Sequence, residues 1–363
     1  MSQNTGVTRR QFLATTTAAA ATAAAVGGFM DGPAFAALPG PLRLFTVAVA
    51  GRDKDMNEAR KDLDLDIKVT FNVAHTETFA KLNAGVLSPQ QDVLHIQQPF
   101  VRPLAQRKWI LPLDMSKLKN HGRMFEQFKN PEWIQHEGKA YGLPYYWGYD
   151  SIVYNAKQMP DGGETWGRLW DDRYKGRLSL RDDALSSFQP VALFLGYDPN
   201  RLTKAQLDDC KKFLISKKKH FRQLWSTYAE AVNLLRSEEV WGLWGWLPMV
   251  TSLRKDGMDI RYGLPKEKAI AWFAAYVVSK DTKVLPSVYA FLDWVLDEKF
   301  ATSMAKDFGY RMTTTAHLKN LTPAEIKEQQ LDDIGSLISK LYIQELPENL
   351  NDWVQAWSEF KSA

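Results

Sequence analysis

The sequence has very little cysteine and lacks the common catalytic and nucleotide-binding motifs. Its one cysteine, Cys210, excludes an intrachain disulfide; helical spacing with Leu207 and Leu214 predicts a small buried apolar side chain. The 363 residues contain no Gly-x-x-x-x-Gly-Lys-Ser/Thr loop, no Gly-x-Gly-x-x-Gly turn and no Gly-x-Ser-x-Gly elbow. These absences argue against an enzyme, and we predict no catalytic residue.

Metal-ligand spacing and a strong net charge are also missing. His136 and Glu137 lack the second histidine of a zinc protease, because position 140 is Ala140. The formal net charge of +4 is too small to indicate nucleic acid, and the lysines at 217–219 are typical of a solvated helix end. We therefore expect no metal ion, no cofactor and no nucleic-acid partner.

The first 36 residues have the features of an export signal. Residues 8–13 read TRRQFL, a twin-arginine signature, and a weakly apolar Ala/Thr-rich run follows to Val26. Residues 34–36, Ala-Phe-Ala, form a small-x-small cleavage site. Threonines interrupt the apolar run, so an uncleaved membrane anchor is the less favoured alternative. We expect export by the twin-arginine machinery, cleavage after Ala36 and a periplasmic mature protein.

The remaining chain alternates between strand and helix patterns. Residues 42–50, 67–73 and 92–96 predict strands with helices between them, and a similar alternation resumes after the middle of the chain. This order is typical of parallel sheets with helices on both faces, and it predicts two α/β lobes. Ligands of such sheets lie beyond the carboxyl ends of the strands, which indicates residues 47–48 and 97–98 as wall positions.

An aromatic stretch at residues 139–155 stands out from the rest of the chain. Pro144 lacks an amide proton, and Gly142 and Gly148 lack a side chain, so we expect an extended crossover between two sheets rather than a long central strand. The rings are either ordinary core or the walls of a gap between the sheets. The aromatic residues concerned are Tyr141, Tyr145, Tyr146, Trp147 and Tyr149.

Several segments, taken in order and spacing, resemble the spermidine/putrescine-binding proteins of bacterial ABC importers. They are residues 76–82 (TETFAKL), 141–148 (YGLPYYWG), 166–170 (WGRLW), 174–176 (YKG), 182–183 (DD), 188–189 (FQ), 195–197 (LGY), 265–267 (PKE) and 309–310 (GY). The resemblance runs nearly end to end. It implies an α/β solute-binding protein of type II, with two hinged lobes that close on a ligand cleft.

The same resemblance implies a domain division and a set of ligand-binding residues. Lobe 1 is expected at 37–147 plus 273–318, and lobe 2 at 148–272 plus 319–363. Asp183 matches a family carboxylate that holds an ammonium group, although a helix N-cap is the structural alternative. Desolvated indole faces can hold a cation at ~2 kcal/mol. The other candidate ligand-binding residues are Trp246, Trp272, Tyr310, Gln344, Gln97, Trp147 and Ser186.

Two family carboxylates are replaced here, by Ser186 and Ala274. Burying an unpaired second ammonium costs several kcal/mol, whereas micromolar affinity amounts to only about −8 kcal/mol in total. We therefore expect a ligand with one cationic centre near Asp183. An amine, a quaternary ammonium and an amino-acid-like zwitterion all fit, and Arg52 or Arg181 would hold the carboxylate of a zwitterion.

These inferences together predict a monomeric periplasmic receptor of an ABC importer of the polyamine type. It would capture a small organic cation between its lobes and deliver it to the membrane subunits of a permease. A receptor of the same type for a zwitterion or another non-polyamine solute is the first alternative. A sensor that docks on a different membrane partner and a secreted enzyme are the others.

Overall fold

The computed structural model describes residues 38–71, 78, 81–82 and 84–363. The predicted export signal and most of the 76–82 segment lie outside these residues. The strands are β1 Leu42–Thr46, β2 Ile67–Phe71, β3 Val93–Gln97, β4 Ile110–Leu111, β5 Gln135–His136, β6 Lys139–Ala140, β7 Leu143–Asn155, β8 Leu178–Arg181, β9 Phe221–Trp225, β10 Gly242–Gly245, β11 Ile260–Tyr262, β12 Ala269–Ser279, β13 Arg311–Met312 and β14 Leu341–Ile343.

The α-helices of the described residues are interspersed with the strands along the chain. They are α1 Asp53–Leu63, α2 Val101–Gln106, α3 Glu126–Lys129, α4 Ala184–Phe194, α5 Lys204–Lys217, α6 Tyr228–Arg236, α7 Leu247–Lys255, α8 Leu285–Val295, α9 Glu298–Phe308, α10 Pro323–Glu328, α11 Ile334–Ser339 and α12 Leu350–Ser362. Thr203 caps α5 and forms a capping box with Gln206, the side-chain types and spacing that favour a helix start. Within the described ranges, no helix is both long and apolar enough to span a bilayer.

A mixed sheet carries most of these strands, in the order β2-β1-β3-β12-β7-β10-β8-β9. The outer strands on both sides pair in parallel, β1 with β2 and β3, and β8 with β9 and β10. The predicted parallel units are therefore present. The two long strands β7 and β12 pair antiparallel to each other and to their outer neighbours, and they connect the two parallel units.

The aromatic stretch forms the long strand β7, so the prediction that a long central strand is excluded there is wrong. All 13 residues of β7 are buried. Its pairing with β12 shifts so that Tyr145 is an extra residue beside Pro144, and this bulge accommodates the proline. At Gly148, a Cβ atom would lie 2.5 Å from Cζ2 of Trp272. The glycine is needed because an indole ring lies directly over the strand.

Two large hydrophobic clusters form the core on either side of the middle of β7. Tyr149 packs in the first cluster and Ile152 in the second. Cys210 is fully buried in the second cluster, which confirms its predicted role as a small apolar side chain. Apolar residues between Leu321 and Leu341 pack in the first cluster, although the predicted division assigned residues 319–363 to lobe 2.

Candidate functional site

A cavity of about 580 Å³ opens between residues of the two core clusters. Its wall combines carboxylate, guanidinium, amide, hydroxyl and aromatic groups, a mixture that suits a small ligand with both polar and apolar parts. The residues that line it are Val47, Val49, Gln97, Phe100, Tyr146, Asp150, Arg181, Asp183, Leu185, Ser186, Tyr228, Trp246, Pro248, Trp272, Phe308, Tyr310 and Gln344.

The structure brings seven of the eight predicted site residues to this cavity. Gln97 ends β3, and Asp183 and Trp246 follow the ends of β8 and β10, as expected for ligands beyond the carboxyl ends of strands. The chain turns after β1, so Val47 lines the cavity but Ala48 does not. The remaining four are Trp272, Ser186, Tyr310 and Gln344.

Trp147 is the predicted residue that does not line the cavity. It is fully buried, and its ring centroid lies 5.4 Å from that of Phe128 and 6.0 Å from that of Phe273. Successive side chains of a strand point to opposite faces, so Tyr146 faces the cavity while Trp147 packs in the core. We therefore leave Trp147 out of the proposed site.

The two adjacent acids after β8 have different surroundings. The side chain of Asp183 lines the cavity and also caps α4, because it accepts a 2.8 Å hydrogen bond from the amide of Ser186. Asp182 instead accepts bonds from the Trp357 indole at 2.7 Å and the Lys361 ammonium at 2.9 Å. The Asp183 carboxylate thus both caps α4 and lines the cavity. Of the two adjacent acids, only Asp183 is available to a ligand.

Aromatic rings line the cavity in two groups. In the first, the Tyr146 centroid lies 5.7 Å from Trp272 and 4.8 Å from Tyr310. In the second, Trp246 packs edge-on against Trp225 and Trp244, which are fully or almost fully buried behind it. Because these contacts fix the ring planes, the cavity offers preformed faces for methylene groups or a cation.

Asp150 is a cavity residue that was not predicted from the sequence. It lies on β7 with only 6% of its surface exposed, and its Oδ1 atom has no hydrogen-bond partner among the described residues. Burial raises its pKa to about 8, against the opposing effects of Arg181 and the indoles of Trp246 and Trp272. Strand alternation from Tyr146 would have indicated this position, had β7 been recognised as a strand.

Arg181 supplies the one cation of the cavity wall among the described residues. Its guanidinium carbon lies 5.1 Å from the Trp246 ring centroid, 5.7 Å from that of Trp244 and 5.8 Å from that of Trp225. The described residues offer Arg181 no ion pair within 4.0 Å; the buried Asp150 is near enough only to act on it through space. Three indoles therefore hold this cation beside the cavity without neutralising it.

A mixed α/β fold with two cores and a polar cleft between them defines the two-lobed solute-binding proteins of type II. The chain belongs to the family of bacterial extracellular solute-binding proteins, whose model matches residues 51–330. That family consists of transport receptors rather than enzymes.

Several of the known proteins similar to this chain carry polyamine names. It is 24% identical over 333 residues to the spermidine/putrescine-binding periplasmic protein 1 of Haemophilus influenzae, covering 86% of this chain and 90% of the relative. It is 22% identical to a putrescine/cadaverine-binding protein of Pseudomonas aeruginosa, covering 83% and 87%. The solved spermidine/putrescine ABC transporter substrate-binding protein of Streptococcus pneumoniae superposes with a TM-score of 0.76 at 19% identity, covering 88% and 98%.

Proposed function

We propose that this protein is the substrate-binding component of an ABC importer of the polyamine type. It captures a small organic compound with an ammonium group and delivers it to permease subunits in the membrane. The observation that carries this proposal is one cavity that holds the Asp183 carboxylate together with the faces of Trp246 and Trp272. The names of the relatives, which include spermidine, putrescine and cadaverine, support the same ligand chemistry.

In this proposal, Asp183 holds the ammonium group and the aromatic rings cover the attached methylenes. A carboxylate accepts charge-assisted hydrogen bonds from an ammonium, and desolvated indole faces add cation–π attraction. Gln97 and Gln344, which also line the cavity, supply neutral hydrogen bonds. The ligand is thus bound by one charge contact and by apolar contact along its chain.

We assign the two core clusters to two lobes that close on the ligand. Lobe 1 comprises residues 38–149 with 271–341, and lobe 2 comprises 150–270 with 342–363. Relative to the predicted division, residues 148–149, 271–272 and 319–341 move from lobe 2 to lobe 1. The long strands β7 and β12 pass from one cluster to the other, so they are the proposed hinge. Export by the twin-arginine route, cleavage after Ala36 and a monomeric periplasmic receptor complete the proposal.

Calorimetric titration of the purified protein tests this function. We expect one molar equivalent of an aliphatic amine to bind with a dissociation constant on the order of micromolar. The panel contains putrescine, cadaverine, spermidine, choline, betaine and straight-chain amines and amino acids. Binding should change the tryptophan fluorescence and decrease the radius of gyration in small-angle scattering. If no ammonium compound of the panel binds, the proposed function is wrong.

A further inference from the structure

Resting on the proposed function, we infer that Arg181 determines ligand specificity by holding an anionic group of the ligand while Asp183 holds the ammonium group. The ligand class is then an aliphatic zwitterion, with an ammonium group at one end and a carboxylate at the other. A diamine of the same length is disfavoured. We argue this ligand class from the charged groups that line the cavity.

The charged groups of the cavity wall, among the residues described, are Asp150, Arg181 and Asp183. Asp183 is partly satisfied by its helix cap but remains at the cavity surface. The second ammonium group of a diamine would lie near the guanidinium of Arg181. Two positive charges repel each other in this partly desolvated cavity, so the diamine would bind more weakly. A carboxylate at the same position would meet a bidentate donor of the geometry that it binds best.

Arg181 is available for this role, whereas Arg52 is not. Arg52 pairs with Asp55 and Asp307, both at 2.7 Å, and it is not among the residues that line the cavity. Arg181 makes no such pair with the described residues; its guanidinium lies near the Trp246 ring of the cavity wall and two further indole rings behind it. Stacking on aromatic rings leaves the guanidinium edge with its N–H donors free for an anion.

The carboxyl of Asp150 supports the assignment rather than competing with it. Its raised pKa of about 8 keeps it largely protonated at neutral pH, so it does not neutralise Arg181 in the empty cavity. A protonated carboxyl also carries an O–H donor, which a ligand carboxylate accepts. At neutral pH the cavity wall thus presents one fixed negative and one fixed positive charge, the pattern complementary to a zwitterion.

Three four-carbon ligands that differ only at one end test the inference. They are 4-aminobutanoate, butylamine and putrescine, titrated at pH 7 into the wild type, R181Q and R181K, with the five-carbon set in parallel. In the wild type we expect 4-aminobutanoate to bind at least about tenfold more tightly than butylamine or putrescine. In R181Q, its affinity should fall about tenfold or more, while that of butylamine changes less than about threefold and the order of 4-aminobutanoate and putrescine reverses.

The butylamine affinity reports on the Asp183 end and serves as the internal folding control. R181K keeps the positive charge but loses the planar guanidinium that binds a carboxylate through two hydrogen bonds. It should therefore retain an intermediate affinity for 4-aminobutanoate. If R181Q fails to fold, the affinity of R181K for 4-aminobutanoate tests the inference in its place. Tighter wild-type binding of putrescine than of 4-aminobutanoate would overturn the inference and leave the proposed function standing. Equal weakening of all three ligands by R181Q would overturn it too.

Discussion

At the scale of single residues, Asp182 and Asp183 differ in role although they are neighbours. A turn after β8 directs Asp182 toward α12, where Trp357 and Lys361 satisfy it, and leaves Asp183 at the cavity. The helix cap at Asp183 does not exclude ligand binding, because a carboxylate has more than one acceptor site. A structural and a binding role are therefore compatible in one side chain.

The substitution Asp183→Asn should weaken the binding of an amine by about tenfold or more. Asparagine preserves the helix cap but removes the charge that attracts the ammonium group, so stability should change little. Titration calorimetry measures the affinity, and urea unfolding checks the stability. The matched control is Asp182→Asn one residue away, which should keep wild-type affinity. Equal affinities of D183N and the wild type would exclude Asp183 as the cation partner.

At the scale of elements, β7 positions one wall of the site. Because its side chains alternate, Tyr146 and Asp150 face the cavity, and Gly148 between them leaves room for the Trp272 indole of the neighbouring strand. The bulge at Tyr145 lets Pro144 lie within the paired strand. The ring faces of the cavity thus depend on local features of a strand rather than on a loop.

The substitution Gly148→Ala should displace Trp272 and disturb both packing and binding. The added Cβ atom would lie 2.5 Å from the indole, and overpacking of this kind costs roughly 1–3 kcal/mol of unfolding free energy. Urea denaturation gives the stability and amine titration the affinity. Gly122→Ala is the control, since a Cβ atom there has nothing within 4 Å. Unchanged stability and affinity in G148A would contradict this role of β7.

At the scale of the whole molecule, the buried Asp150 couples stability to pH. Its pKa of about 8 in the folded state lies above the ordinary unfolded value of ~3.9, so the folded protein binds more protons between these two pH values. Its contribution to stability is complete below the unfolded pKa and is lost as the pH rises through the folded pKa. The charged groups that act on it are Arg181 and Asp183.

The substitution Asp150→Asn should remove this pH dependence in the ligand-free protein. The unfolding free energy of D150N minus that of the wild type should rise with pH by up to ~1.4 kcal/mol per unit, and level off above about pH 8. Urea unfolding at pH 5.5, 7, 8 and 9.5 measures this difference. Asp182→Asn is the control: burial acts to raise the pKa of Asp182, but hydrogen bonds from Trp357 and Lys361 together outweigh it and lower the pKa, so its difference should stay flat over this pH range. A flat D150N difference would show that Asp150 is charged in the folded state.

Local sequence by itself determined many of the helices and short strands of this protein. Capping residues and apolar periodicity specify them because those signals act within a few residues, as at Thr203 and Cys210. The resemblance to a receptor family correctly indicated the family, and seven of the residues it singled out lie at the cavity, where their role in ligand binding stays a prediction.

Only the tertiary structure decided which charges share the cavity. Pro144 and Gly148 predict a broken strand locally, but a bulge and an overlying indole from β12, distant in sequence, make them compatible with one long strand. That strand places Asp150 beside Arg181, and pairing of separate strands is what brings both to Asp183. Such contacts depend on register between distant segments, and register is set by long-range packing that no local pattern contains.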